Sequence, residues 1–112
     1  HKLHEMFIVH TKDCYVRPHK HLSKVESISI LEGEADVVLF SDDGKIENIV
    51  EMGTPISGKK FFHRMETPIY HTLLIHSNFL VFHGFEATTT TKPSDPSTAA
   101  AFFRIKRGEI SL

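Results

Sequence analysis

The chain has 112 residues, which suits one domain and is too short for two independent hydrophobic cores. Hydrophobic residues make up 40% and charged residues 24%, a balance that excludes a disordered or collagenous chain. With 13 Lys and Arg against 14 Asp and Glu there is no basic field to attract phosphate backbones, so nucleic acid is not an expected partner.

In chain order, the sequence predicts short β-rich runs separated by turn signals and no long helix. Met6 to Val9 is apolar, and Cys14 to Arg17 is strand-like up to Pro18, which cannot donate to a central ladder. Between Val25 and Leu31, Glu26 alternates onto the face of Ile28 and Ile30, with Ser27 and Ser29 on the other. After Gly33, Ala35 to Phe40, Ser41-Asp42-Asp43-Gly44 and Lys45 to Val50 read as a β-hairpin with an Asp-Gly turn. Phe61 to Met65, His71 to Ile75 and Phe79 to His83 are strand-like again.

Seven or so strands in about a hundred residues predict an all-β jelly roll. The expected organisation is a single domain over 1–112, with a barrel core of about 6–86, a loop at 87–97 and a C-terminal segment at 98–112. Thr88 to Pro96, polar and broken by two prolines, supplies that loop. Ser97 to Ala101 suits a short helix and Phe102 to Ile105 a last strand.

Nine histidines are many for this length, and imidazole is the commonest metal ligand. His19 and His21 are two apart, so on a strand both aim at one point. Leu22 to Val25 can turn and bring Glu26 alongside, which adds a carboxylate to two imidazoles. His71 is the best fourth ligand, because Leu73 and Ile75 share its face. The set of three nitrogens and one oxygen accepts one divalent ion: Zn, Mn, Fe or Ni.

The spacing His19-Lys20-His21, Glu26 and Gly33 resembles the first motif of the cupin superfamily. Pro68-Ile69-Tyr70-His71 matches the second motif in part, lacking its Gly. Within cupins, Tyr15 to His21, Lys24-Val25-Glu26, Leu31-Glu32-Gly33 and Phe40 to Gly44 look like the WbuC-type cupin metalloproteins, a resemblance that covers residues 4 to 83. It implies a small cupin barrel with a bound metal, encoded among bacterial surface-polysaccharide genes. Those proteins follow the last strand with a His-Glu pair and a Gly-Pro-aromatic segment, whereas here His83-Gly84-Phe85-Glu86 leads into threonines and prolines.

Tyr15 and Arg17 share strand parity with His19 and His21, so they are expected to face the cavity with His83 as substrate contacts. Arg17 would hold an anionic group or, alternatively, cap the barrel mouth. His63 and His83 fit either the pocket or the outer face. His1, His4, His10 and His76 are expected at the surface or behind the ligands, and Arg104, Lys106 and Arg107 on a solvated face.

The expected function is isomerase- or epimerase-like chemistry on a small sugar or nucleotide-sugar type ligand. The alternatives are a non-catalytic small-molecule binding module and an Fe(II) dioxygenase. Exposed strand edges predict a homodimer. Cys14 is the only cysteine, which suits a reducing cytoplasm, and no apolar run of membrane-span length or signal-peptide pattern is expected to engage a membrane. The chain opens at His1 without a Met, which leaves room for an upstream segment.

Overall fold

The structure, a computed structural model, describes residues 4–16, 18–21, 26–65, 69–86 and 91–93. Among them run nine strands and no α-helix: β1 His4–Thr11, β2 His19–His21, β3 Glu26–Glu32, β4 Ala35–Phe40, β5 Ile46–Met52, β6 Phe62–Met65, β7 Tyr70–Ile75, β8 Phe79–Glu86 and β9 Thr91–Pro93. The chain is therefore all-β. The strands form a four-stranded sheet, β1-β8-β3-β6, and a five-stranded sheet, β5-β4-β7-β2-β9, with antiparallel ladders throughout.

The pairings are nested: β1 with β8, β2 with β7, β3 with β6 and β4 with β5. This is the order of one long hairpin rolled so that successive strand pairs alternate between two sheets. Period-two alternation supplies the core between the sheets. Ile28 and Ile30 of β3, Met65 of β6, and Leu80 and Phe82 of β8 meet Val37 and Leu39 of β4, Val50 and Met52 of β5, and Leu73 and Ile75 of β7. β4 is apolar on both faces, and its outward Val38 and Phe40 join Tyr70 in a second buried cluster.

Two turns set the register. Gly33, between β3 and β4, has φ 92°, and a Cβ there would run into the Phe79 carbonyl oxygen and Ser77 Oγ. Only glycine fits so close to the backbone of β8. In the β4–β5 hairpin the Gly44 N–H donates to the Ser41 carbonyl at 3.0 Å, with Gly44 at φ 87° and a bulge after Leu39.

Two expectations are corrected. Residues 12–16 form a turn and an irregular segment, because the Cys14 N–H donates to the Thr11 carbonyl and the Val16 carbonyl accepts from Thr72 Oγ1. Thr91–Pro93, expected in a loop, is an edge strand on β2, where a proline's missing N–H is tolerated. The short helix at 97–101 and the last strand at 102–105 lie outside the described residues. Among the described residues no helix is long and apolar enough to cross a membrane.

The outer face of the four-stranded sheet carries exposed apolar side chains among polar ones. Phe7 and Val9 of β1, Phe79 of β8 and Phe62 of β6 are exposed there, with Leu31 at the end of β3.

Candidate functional site

A cavity of about 230 Å³ lies between the sheets. Parity decides its walls. On the four-stranded sheet, inward positions Met6, Ile8 and His10 of β1, Glu26 and Ile28 of β3, and Phe82 and Gly84 of β8 line it. Facing them are Val37, His71 and Leu73 of the five-stranded sheet, with Val16 beside them.

The polar centre of this cavity spans the two sheets. His71 Nε2 on β7 lies 3.3 Å from Glu26 Oε1 on β3, with the side chains 8% and 21% exposed. The other ring nitrogen fixes the tautomer: a carbonyl oxygen can only accept, so His71 Nδ1–H donates to the Ile69 carbonyl at 2.9 Å. With Nε2 protonated, His71 and Glu26 form an ion pair; with Nε2 bare, its lone pair faces the carboxylate, itself an acceptor. A positive centre between them, a proton or a metal ion, resolves the mismatch.

The separation admits an ion pair and two ligands of one cation alike. A charge-assisted N–H···O bond closes to about 2.7–2.9 Å. Two ligands about 2.1 Å from one cation, at octahedral to tetrahedral angles, stand about 3.0–3.4 Å apart. A backbone carbonyl holding the second nitrogen is the usual support for a ligating imidazole.

Backbone register sets His19 of β2 directly opposite His71 of β7. The side chains of His19 and His21 lie outside the described residues. Among the described side chains, no group of three His, Cys, Asp or Glu is placed to hold a metal ion. The described part of the expected ligand set is thus the Glu26–His71 pair.

His63 shares the inward face of β6 with Met65, opposite Ile28. Its Nε2 is buried with no hydrogen-bond partner among the described residues. Desolvation, with smaller contributions from the positive charges of Lys60 and His71, holds its pKa below the ordinary 6.5.

The expected substrate contacts are placed differently. His83 is of opposite parity to the cavity-lining Phe82 and Gly84 and sits on the outer face, where its Nε2 is 2.7 Å from Glu5 Oε1 and its ring packs on Phe7. Tyr15 is 42% exposed, while its neighbour Val16 lines the cavity, because the segment before Pro18 bends instead of running as a strand. Arg17 lies outside the described residues. His76 is exposed and bonded to Asp36 at 2.8 Å. His10, expected at the surface or behind the ligands, lines the cavity with its ring against Phe82. The available signal was its parity with Ile8.

A family model described as a domain of unknown function, DUF6016, matches residues 1–52, less than half of the chain. The match spans β1 to β5, with His19, His21 and Glu26, and ends before His71. No curated protein matches the chain.

Proposed function

We propose that this chain is a cupin metalloprotein of the WbuC type that holds one divalent ion, Zn, Mn, Fe or Ni, through His19, His21, Glu26 and His71. The observation that carries this reading is the Glu26–His71 contact, in which Oε1 and Nε2 from different sheets stand 3.3 Å apart while the other ring nitrogen is held by the Ile69 carbonyl. The nested strand order, that of a jelly roll, and the register of His19 opposite His71 support it.

A bound ion would polarise the oxygen of a small molecule in the cavity, which suits isomerase- or epimerase-like chemistry. Glu26 and His71 would hold the ion, and the Ile69 carbonyl would keep the His71 ring oriented. A second reading, a module that holds its ligand without turnover, is favoured by the cavity walls. Beyond Glu26 and His71, the titratable group among the described lining residues is His10, toward the far end of β1.

Elemental analysis of protein purified without a polyhistidine tag tests the proposal. Close to one divalent ion per chain is expected. No ion, and no uptake of Mn, Fe, Ni or Zn by the stripped protein, would overturn it.

For assembly, we propose a homodimer through the outer face of the four-stranded sheet. One cross-strand row there runs Glu5, Phe85, Ser27, Arg64 and the next Phe7, His83, Ser29, Phe62. A two-fold axis along the strands sets Glu5 of one copy against Arg64 of the other, and Phe7 against Phe62, so the face complements itself. The single cysteine, Cys14, favours the cytoplasm as the compartment.

A further inference from the structure

The cavity owes its space to a glycine in mid-sheet. Gly84 stands in β8 between Met6 of β1 and Ile28 of β3, in the centre of the inward face. A Cβ at Gly84 would meet only the Phe82 ring, at 4.0 Å, and its φ lies outside the left-handed region. Neither sterics nor conformation therefore requires glycine here. Glycine in a strand interior marks a bulge, a bend or a place where a ligand or another backbone approaches, and the register of β8 with both neighbours runs unbroken through Gly84, so no bulge accounts for it.

The walls around the space state what that molecule is. Met6, Ile8, Ile28, Leu73 and Phe82 surround it with hydrocarbon, and Glu26 and His71 close one end. Of the remaining polar lining, the Thr72 hydroxyl donates to the Val16 carbonyl, His10 lies with its ring against Phe82, and Ser27 adds one further hydroxyl. A sugar would turn most of its hydroxyls toward these walls and leave them without partners. An aliphatic or aromatic body loses nothing there.

We infer that the cavity held open by Gly84 takes a small apolar carboxylic acid, its ring or chain against Met6, Ile28 and Phe82 and its carboxylate toward Glu26 and His71. The head-group assignment rests on the proposed cation at that pair, since a carboxylate would otherwise face the Glu26 charge. A cavity of about 150 Å³ accommodates benzene, so this one, of about 230 Å³, accommodates about nine non-hydrogen atoms.

Calorimetric titration of benzoate and of threonate into the ion-loaded protein tests the inference. The two acids match in charge and non-hydrogen atom count, and threonate carries hydroxyls where benzoate carries a ring. Benzoate is expected to bind about tenfold more tightly or better. Threonate binding as tightly as benzoate, or neither binding, overturns the inference.

Gly84→Val fills the space with a side chain that strands favour, so it is expected to fold, keep its ion and lose about tenfold in benzoate affinity. A folded Gly84→Val that binds benzoate like the parent places the ligand elsewhere and overturns the inference. If the valine variant does not fold, Gly84→Ala carries the same comparison with a smaller loss. Ion content of the same samples keeps the two readings apart. An ion-loaded chain that does not prefer benzoate refutes the apolar ligand alone, whereas an ion-free chain that prefers it refutes the cation and with it the placing of the carboxylate toward Glu26 and His71.

Discussion

Glu26 and His71 come from different sheets, 45 positions apart in the chain, and meet with Oε1 and Nε2 at 3.3 Å. Because His71 Nδ1–H is committed to the Ile69 carbonyl, the contact depends on one nitrogen. His71→Ala and Glu26→Gln are both expected to lose most of the bound ion. His76→Ala and His83→Ala should keep it, since those rings are held by Asp36 and Glu5 away from the cavity. Elemental analysis of the four variants decides, and full occupancy in His71→Ala would require a different ligand set.

Gly33 offers a test of the fold itself. Gly33→Ala imposes a left-handed backbone on an L-residue and drives its Cβ into the Phe79 carbonyl, for an expected loss of about 2–4 kcal/mol. Gly58 also has positive φ, 81°, yet a Cβ there meets nothing, so Gly58→Ala should cost about 1–2 kcal/mol. Urea denaturation of both variants measures the difference, and equal losses would contradict the close approach of β8 at Gly33.

His63 predicts a pH dependence in the ion-free protein. Its folded pKa lies below the unfolded value of 6.5, chiefly through desolvation, so below that pH the unfolded chain binds the proton more readily. Stability should fall as pH drops through 6.5 toward the folded pKa, and His63 should contribute nothing above 6.5. His63→Gln cannot take up that proton. Urea midpoints at about pH 7.5 and about pH 5.5 should move less in His63→Gln than in the parent, and an equal movement would contradict the assignment.

Light scattering tests the assembly. A dimer mass at micromolar concentration is expected for the parent chain. Phe7→Glu, at a position 73% exposed, should give a folded monomer by placing a charge against Phe62 of the partner in the proposed contact. A dimeric Phe7→Glu would move the interface to another face.

Local chemistry in the sequence determined a good deal. The Ser41-Asp42-Asp43-Gly44 turn is the kind that closes a hairpin, and β4 and β5 pair around it. Alternation from Glu26 to Ile30 assigns Glu26 to the inward face, where the structure has it, because adjacent Cβ atoms on a strand must point to opposite sides. Parity fails to choose a side where both faces of a strand are apolar. β1 offers Met6 and Ile8 against Phe7 and Val9, and β8 offers Leu80 and Phe82 against Phe79 and Val81.

Only the stacking of the two sheets decided that His10 faces the cavity and His83 faces outward, since that depends on which face meets another sheet. The same holds for β9, whose pairing with β2 depends on an edge supplied by distant residues. The Glu26–His71 contact is likewise tertiary. Each residue's face is legible from its own strand, but the distance between them follows from how β3 and β7 cross in separate sheets, which local periodicity does not encode.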